Sequence, residues 1–233
     1  MAILLCLGLA AQAAAQGEGP AQAQQDAQLW FSLAGEIKPF RKKEGDQAQP
    51  RFFRNLRTTG ELGWKLNENG SNLSQFNIDA GARYAVTGFM RLGAQYRYSM
   101  RDRYTSDRQR VDGRLYLKYK HERLKADYRL VYEHSFREPR KLRTLLRNRI
   151  AIGYNIPKWK YDPFISVESF TALHYTGNRL VGMRYDLGTD INLNKNKTRT
   201  LEVALRHDRE VNTSKPTNSW ILVLALENAF KRK

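Results

Sequence analysis

Between Gln28 and the end of the chain, apolar and aromatic residues occupy one parity while polar and charged residues occupy the other. Phe76, Ile78, Ala80, Ala82, Tyr84 and Val86 alternate with Asn77, Asp79, Gly81, Arg83 and Ala85. Met90, Leu92, Ala94, Tyr96, Tyr98 and Met100 alternate with Arg91, Gly93, Gln95, Arg97, Ser99 and Arg101. The same period sets Leu124, Ala126, Tyr128, Leu130 and Tyr132 against Lys125, Asp127, Arg129 and Glu133, and Val181, Met183, Tyr185 and Leu187 against Gly182, Arg184 and Asp186. A helix, with about 3.6 residues per turn, keeps neither set on one side, whereas a strand keeps both. The pattern predicts eleven strands, near residues 28–38, 51–66, 73–86, 89–101, 110–120, 123–137, 141–156, 162–175, 179–193, 198–211 and 218–230. Turn-forming residues separate them at Asn67 to Asn72, Thr87-Gly88, Glu138-Pro139, Pro157 to Lys160, Thr176 to Asn178, Asn194 to Lys197 and Asn212 to Thr217.

Strands of a soluble sandwich are about 5 or 6 residues long, and a tilted bilayer-crossing strand needs about 9 to 11. Most of the predicted strands exceed both, and each has one apolar and one charged face. The fold class this implies is all-β: an antiparallel transmembrane β-barrel of about ten to twelve strands. Bacterial single-chain barrels have even strand numbers. With Thr87-Gly88 as a short periplasmic turn and Asp102 to Gln109 as an outer loop, the later turns alternate and the chain ends inside. Parity then fails at the segment around Trp30, which reads as a partial strand, a lumenal segment or one member of an unresolved pair. Trp64, Tyr84, Tyr104, Tyr119, Phe136, Tyr154, Tyr175, Trp220 and Phe230 all fall near strand ends, as the aromatic girdles of membrane barrels do.

Ahead of the strands, Ile3 to Ala10 is a short apolar run and Ala13-Ala14-Ala15 supplies the small residues a signal peptidase reads, so residues 1–15 are expected to be an export signal. Met1-Ala2 lacks the usual basic n-region. Residues 16–27 read as a flexible Gln/Ala/Gly lead-in and 28–233 as the barrel domain. The single cysteine, Cys6, lies inside the signal, which leaves the exported chain without a disulfide or a thiolate nucleophile.

These residues resemble a family of Gram-negative outer-membrane β-barrels known only as a domain of unknown function. The layout carrying the resemblance is an N-terminal Trp strand (Trp30), an Arg-bearing second strand (Arg54, Arg57), a hairpin with Tyr84, Gly93, Tyr96 and Arg97, and later strands with Arg147 and Arg149 and with Glu168 and Phe170. It covers roughly residues 28 to 233. Phe230 is similar to the terminal aromatic that barrel-assembly machinery recognises, although Lys231-Arg232-Lys233 extends past it. The resemblance implies the bacterial outer membrane and a barrel, and no reaction.

The chain of 233 residues carries 40 Lys and Arg against 23 Asp and Glu, a formal charge of +17, with a mean hydropathy of -0.65. Such a charge suggests a polyanionic partner until the faces are separated. A nucleic-acid surface would present Arg and Tyr together, and here they mostly alternate onto opposite faces, so no nucleic acid is expected. The charged parity collects Arg83, Arg91, Arg97, Arg129, Arg147, Arg149, Arg184 and Arg206 with Glu61, Asp79, Asp127, Glu133, Glu168, Asp186 and Glu202 in a narrow lumen. Two readings use these same residues. Facing Arg and carboxylate groups interlock as a plug, or the excess of Arg draws in small anions. Rim cations at Arg41-Lys42-Lys43, Arg101 to Arg110 and Arg140-Lys141 suit membrane lipids and lipopolysaccharide phosphates.

Catalysis has little support in the sequence. His134 lies on the apolar parity, His174 on the opposite parity beside Ser166 and Glu168, and nothing places either within reach of a serine. Asp102, Asp107 and Asp112 surround one loop without a nearby histidine, and no metal, nucleotide or nucleophile-elbow motif is present. The expected protein is a structural, adhesive or passive anion-attracting barrel without cofactor. A lipid- or peptide-cleaving barrel enzyme and a soluble nucleic-acid binder are the alternatives.

Overall fold

Each alternating segment forms a strand: β1 (Gln24–Ile37), β2 (Leu56–Asn67), β3 (Asn72–Ala85), β4 (Met90–Arg101), β5 (Arg108–His121), β6 (Leu124–Ser135), β7 (Thr144–Tyr154), β8 (Tyr161–Ala172), β9 (Arg179–Asn192), β10 (Arg199–Glu210) and β11 (Thr217–Phe230). The computed structural model describes residues 24–40, 51–68, 70–101, 106–136, 143–174, 177–194, 198–213 and 216–230. The expected signal peptide with Cys6, most of the expected lead-in, Arg41 to Lys43, Asp102, Tyr104, Arg140-Lys141, Tyr175 and Lys231-Arg232-Lys233 lie outside the described residues.

Every strand pairs with its sequence neighbours, and β1 closes the wall by pairing with both β2 and β11. Closure leaves no edge, so backbone N–H and C=O groups of the wall pair strand to strand, as an apolar medium requires. Among the described residues no helix is long and apolar enough to cross a membrane. Large apolar side chains instead face outward around the wall, among them Leu92, Ile150, Ile165, Leu187 and Leu205, with Leu187 64% exposed. The opposite parity faces inward and contains nearly all of the buried polar residues. An apolar outer wall around a charged interior is the inversion that marks a transmembrane barrel.

Four expectations are corrected. The barrel is not wholly antiparallel: the β1–β11 seam is parallel, with Gln24 opposite Thr217 and Ile37 opposite Phe230. An odd number of up-and-down strands can close in no other way, because strands 1 and 11 run in the same direction. The segment around Trp30 is therefore a full 14-residue strand, and the even count does not apply. That strand starts inside the expected lead-in. The strand expected at 51–66 begins only at Leu56, and Arg51–Asn55 forms a short helix, α1. Its adjacent Phe52 and Phe53 interrupt the alternation.

The mouth at which β1 begins is termed the N mouth and that at which β11 ends the C mouth. Short connections join strands at both, but the C mouth also holds the long β1–β2 connection, residues 38–55. Gly188 marks a point of close approach on the inner wall, since a Cβ there would lie 2.6 Å from that of Ala204 and 2.7 Å from the Val203 carbonyl oxygen.

Candidate functional site in the lumen

Strand parity aims a charged side chain inward at every second position, and the register decides which of these meet. Glu168 on β8 is 1% exposed and is surrounded by three arginines. It accepts from Arg147 Nη2 at 3.0 Å and Arg129 Nη2 at 3.0 Å, and Arg184 Nη1 lies 3.5 Å away. Arg147 also reaches Glu133 at 3.2 Å, and Glu133 takes Arg108 at 3.0 Å and Arg110 at 3.3 Å. Arg110 and Arg114 share Asp112, while Arg184 grips Asp208 with two bonds of 2.6 and 2.7 Å. The result is one continuous ion-pair network across the six strands β5 to β10.

A second group lies beside it. Asp186 accepts from Arg206 Nε at 2.6 Å, from Arg149 at 3.4 Å and from the Ser166 hydroxyl at 2.8 Å. The two groups together contain eight arginines and five carboxylates. Carboxylates buried this deeply hold their charge only because each is paired and hydrogen-bonded. On the β3–β4 side, Arg97 and Gln95 both donate to Asp79, and Arg57 pairs with Glu36.

Of the charged residues on the inward parity, the structure brings Arg97, Arg129, Glu133, Arg147, Arg149, Glu168, Arg184 and Arg206 into ion pairs. Arg83 contacts Glu36 at 3.5 Å. Arg91 faces the lumen near the C mouth without an ion pair among the described residues. Glu202 is not brought to Arg206: it sits opposite Asp190 in the β9–β10 register, with Glu227 lining the same cavities. Among the described residues Glu61, Asp190, Glu202 and Glu227 make no hydrogen bond or ion pair.

Arg108, Arg110 and Asp112 correct the sequence reading. Arg108, expected in the outer loop, already belongs to β5; Arg110, expected at the rim, and Asp112, expected beside the loop at the start of the 110–120 strand, point into the lumen, and Asp112 is fully buried. Arg114 was missed with them. The signal was present, because Arg110, Asp112, Arg114, Tyr116 and Lys118 alternate with Val111, Leu115, Leu117 and Tyr119.

Trp30 also points inward. Lys65 Nζ lies 3.9 Å from its ring centroid, and the guanidinium carbons of Arg184 and Arg206 lie 5.3 and 5.2 Å away. It also packs against a small apolar cluster of Ala204, Ile221 and Val223, and its indole N–H donates to Gln28 Oε1 at 2.9 Å. Cations placed over an indole face are attracted by its quadrupole, so Trp30 helps to hold positive charge together inside the wall.

The buried polar residues occupy mid-strand positions and the half of the barrel nearer the N mouth, except Asp162. A central cavity of about 400 Å³ remains beside the network, lined by eleven Lys and Arg side chains and five Glu. Cavities of about 360 and 260 Å³ lie toward the C mouth, and all three have Arg83 and Glu227 in their walls.

His121, His134 and His207 lie outside this network, and His174 follows the end of β8. His134 Nδ1 is 3.1 Å from Thr144 Oγ1, and its ring meets the edge of Phe136. His207 packs against Trp220 at 4.5 Å, and His121 stacks on Tyr119. Among the described residues no group of three or more His, Cys, Asp or Glu is placed to hold a metal ion.

A family model described as "Protein of unknown function (DUF2490)" matches residues 27–217. No curated protein matches the chain. A solved structure titled "Bacterial polysaccharide outer membrane secretin" is similar at 11% identity and a TM-score of 0.47, over 72% of this chain. The chain spans 62% of that structure's length.

Proposed function

The chain belongs to the DUF2490 family of proteins of unknown function, and from the geometry of its lumen we propose that it is a bacterial outer-membrane barrel with a structural role, its interior cross-braced by ion pairs. One observation carries this reading: the buried Glu168 joins arginines from β6, β7 and β9, within a network that crosses six strands. A lumen tied across in this way resists ovalisation, and the side chains fill the space that a diffusion pore leaves to water. The export signal and the outward apolar wall support the outer membrane as its location. Exposed cations at the C mouth, such as Lys38, Arg123, Lys158 and Lys160, suit the phosphates of inner-leaflet lipids, and those at the N mouth, such as Arg179 and Arg209, suit the phosphates of lipopolysaccharide. The terminal strand with Phe230 suits assembly by the outer-membrane barrel machinery. No catalytic step or cofactor is assigned, and the inward placement of Arg supports no nucleic-acid partner.

A second reading rests on the central cavity, where eleven cationic side chains face five carboxylates and would attract small anions. Planar-bilayer recording of the purified, folded protein separates the two. The structural reading expects no steady conductance. A steady anion-selective conductance establishes the second reading instead, and a cation-selective one overturns both.

A further inference from the structure

The long β1–β2 connection at the C mouth leaves an aromatic group on the outside of the wall. Phe40, Phe52 and Phe53 are 44%, 53% and 38% exposed. They pack on one another, with centroids 4.6 Å apart for Phe40–Phe53 and 5.5 Å for Phe52–Phe53. The group is fastened to the barrel at two points. Phe52 stacks on Tyr84 at 5.4 Å, and Asn55 Nδ2 donates to the Ala85 carbonyl at 3.0 Å. Tyr84 lies on the outward parity of β3, between Leu56 and Leu92 in the register, so the ring under Phe52 is part of the membrane-facing wall.

We propose that α1 and Phe40 form a foot that inserts into the headgroup–acyl boundary of the lipid leaflet at the C mouth. Continuity selects lipid as the occupant, because the aromatic group extends the apolar belt of the barrel sideways at its end with no polar gap between Phe52 and Tyr84. Charge agrees, since exposed Lys38 and Arg54 flank the rings and can meet lipid phosphates. Aromatic rings with cations beside them are the composition of interfacial anchors, and a helix of five residues lies in that layer without needing to span it. The inference goes beyond the structural role of the lumen and does not depend on whether the lumen conducts.

The test places an environment-sensitive fluorophore at the foot. In a Cys6→Ser background, Phe52→Cys and separately Phe53→Cys are labelled with a nitrobenzoxadiazole dye. The full-length protein is folded into phosphatidylethanolamine–phosphatidylglycerol vesicles, with heat-modifiable gel mobility confirming the barrel. Nitroxide lipids labelled near the headgroup are expected to remove roughly half of the emission, with iodide in the buffer removing several-fold less. Efficient quenching by iodide with little by nitroxide lipid overturns the foot, because the helix is then in water. Protection from both quenchers also overturns it, because protein then covers the rings. Two label sites keep the test open if one substitution disturbs the local fold.

Discussion

Glu168→Gln isolates the electrostatic contribution of the lumen network, because it removes one charge while preserving shape and one acceptor oxygen. In the folded barrel Glu168 contacts Arg129, Arg147 and Arg184. Arg147 retains Glu133 and Arg184 retains Asp208, so only Arg129 loses its sole carboxylate. Stranding one partner of a buried pair costs about 3–5 kcal/mol, and Arg129 keeps 27% side-chain exposure through which water can offset part of that, leaving an expected loss of about 2–3 kcal/mol. The matched control is Glu202→Gln, which removes a lumenal carboxylate that has no ion pair and faces Asp190. It is expected to change stability by less than about 0.5 kcal/mol or to raise it slightly. Urea titration of each variant folded in lipid vesicles, with the folded fraction read from gel mobility, measures both. Equal losses for the two variants, or no loss for Glu168→Gln, would refute the argument that pairing geometry matters beyond total lumen charge.

Leu187→Arg tests the membrane-facing wall. At 64% exposure this change would be nearly neutral on a protein facing water, whereas in a bilayer an arginine near the midplane of a barrel costs about 2–4 kcal/mol, readable in the same vesicle titration. The parallel seam makes a topological prediction: β1 begins at the mouth opposite to the end of β11. Epitope tags placed before Gln24 and after Phe230 are therefore expected to react from opposite faces of sealed vesicles with uniformly oriented protein, and reaction of both from one face refutes the eleven-strand closure.

The element structure was legible in the sequence because alternation is a local property. The bounds of β3, β4, β9, β10 and β11 fall within a residue or two of the expected ones, and the aromatic residues at Trp64, Tyr119, Tyr154 and Trp220 lie at strand ends facing outward. Where a local signal was weaker, the reading failed. Phe52 and Phe53 hid a helical turn, and a charge-rich run around Arg101 to Arg110 drew attention to a loop when β5 had already begun.

Period two by itself determined the strands, their two faces and the segregation of charge to the inside, since backbone chirality and pleat fix the direction of each side chain along a strand. It also established an excess of Arg on that inner face. Only the tertiary structure decided that β1 closes parallel to β11, that Trp30 faces Lys65, Arg184 and Arg206, and that Glu168 gathers three arginines while Glu202 is left opposite Asp190. Those meetings depend on cross-strand register and on the stagger accumulated around a closed wall. Shifting one strand by two residues preserves every inward and outward assignment and exchanges every lumenal partner.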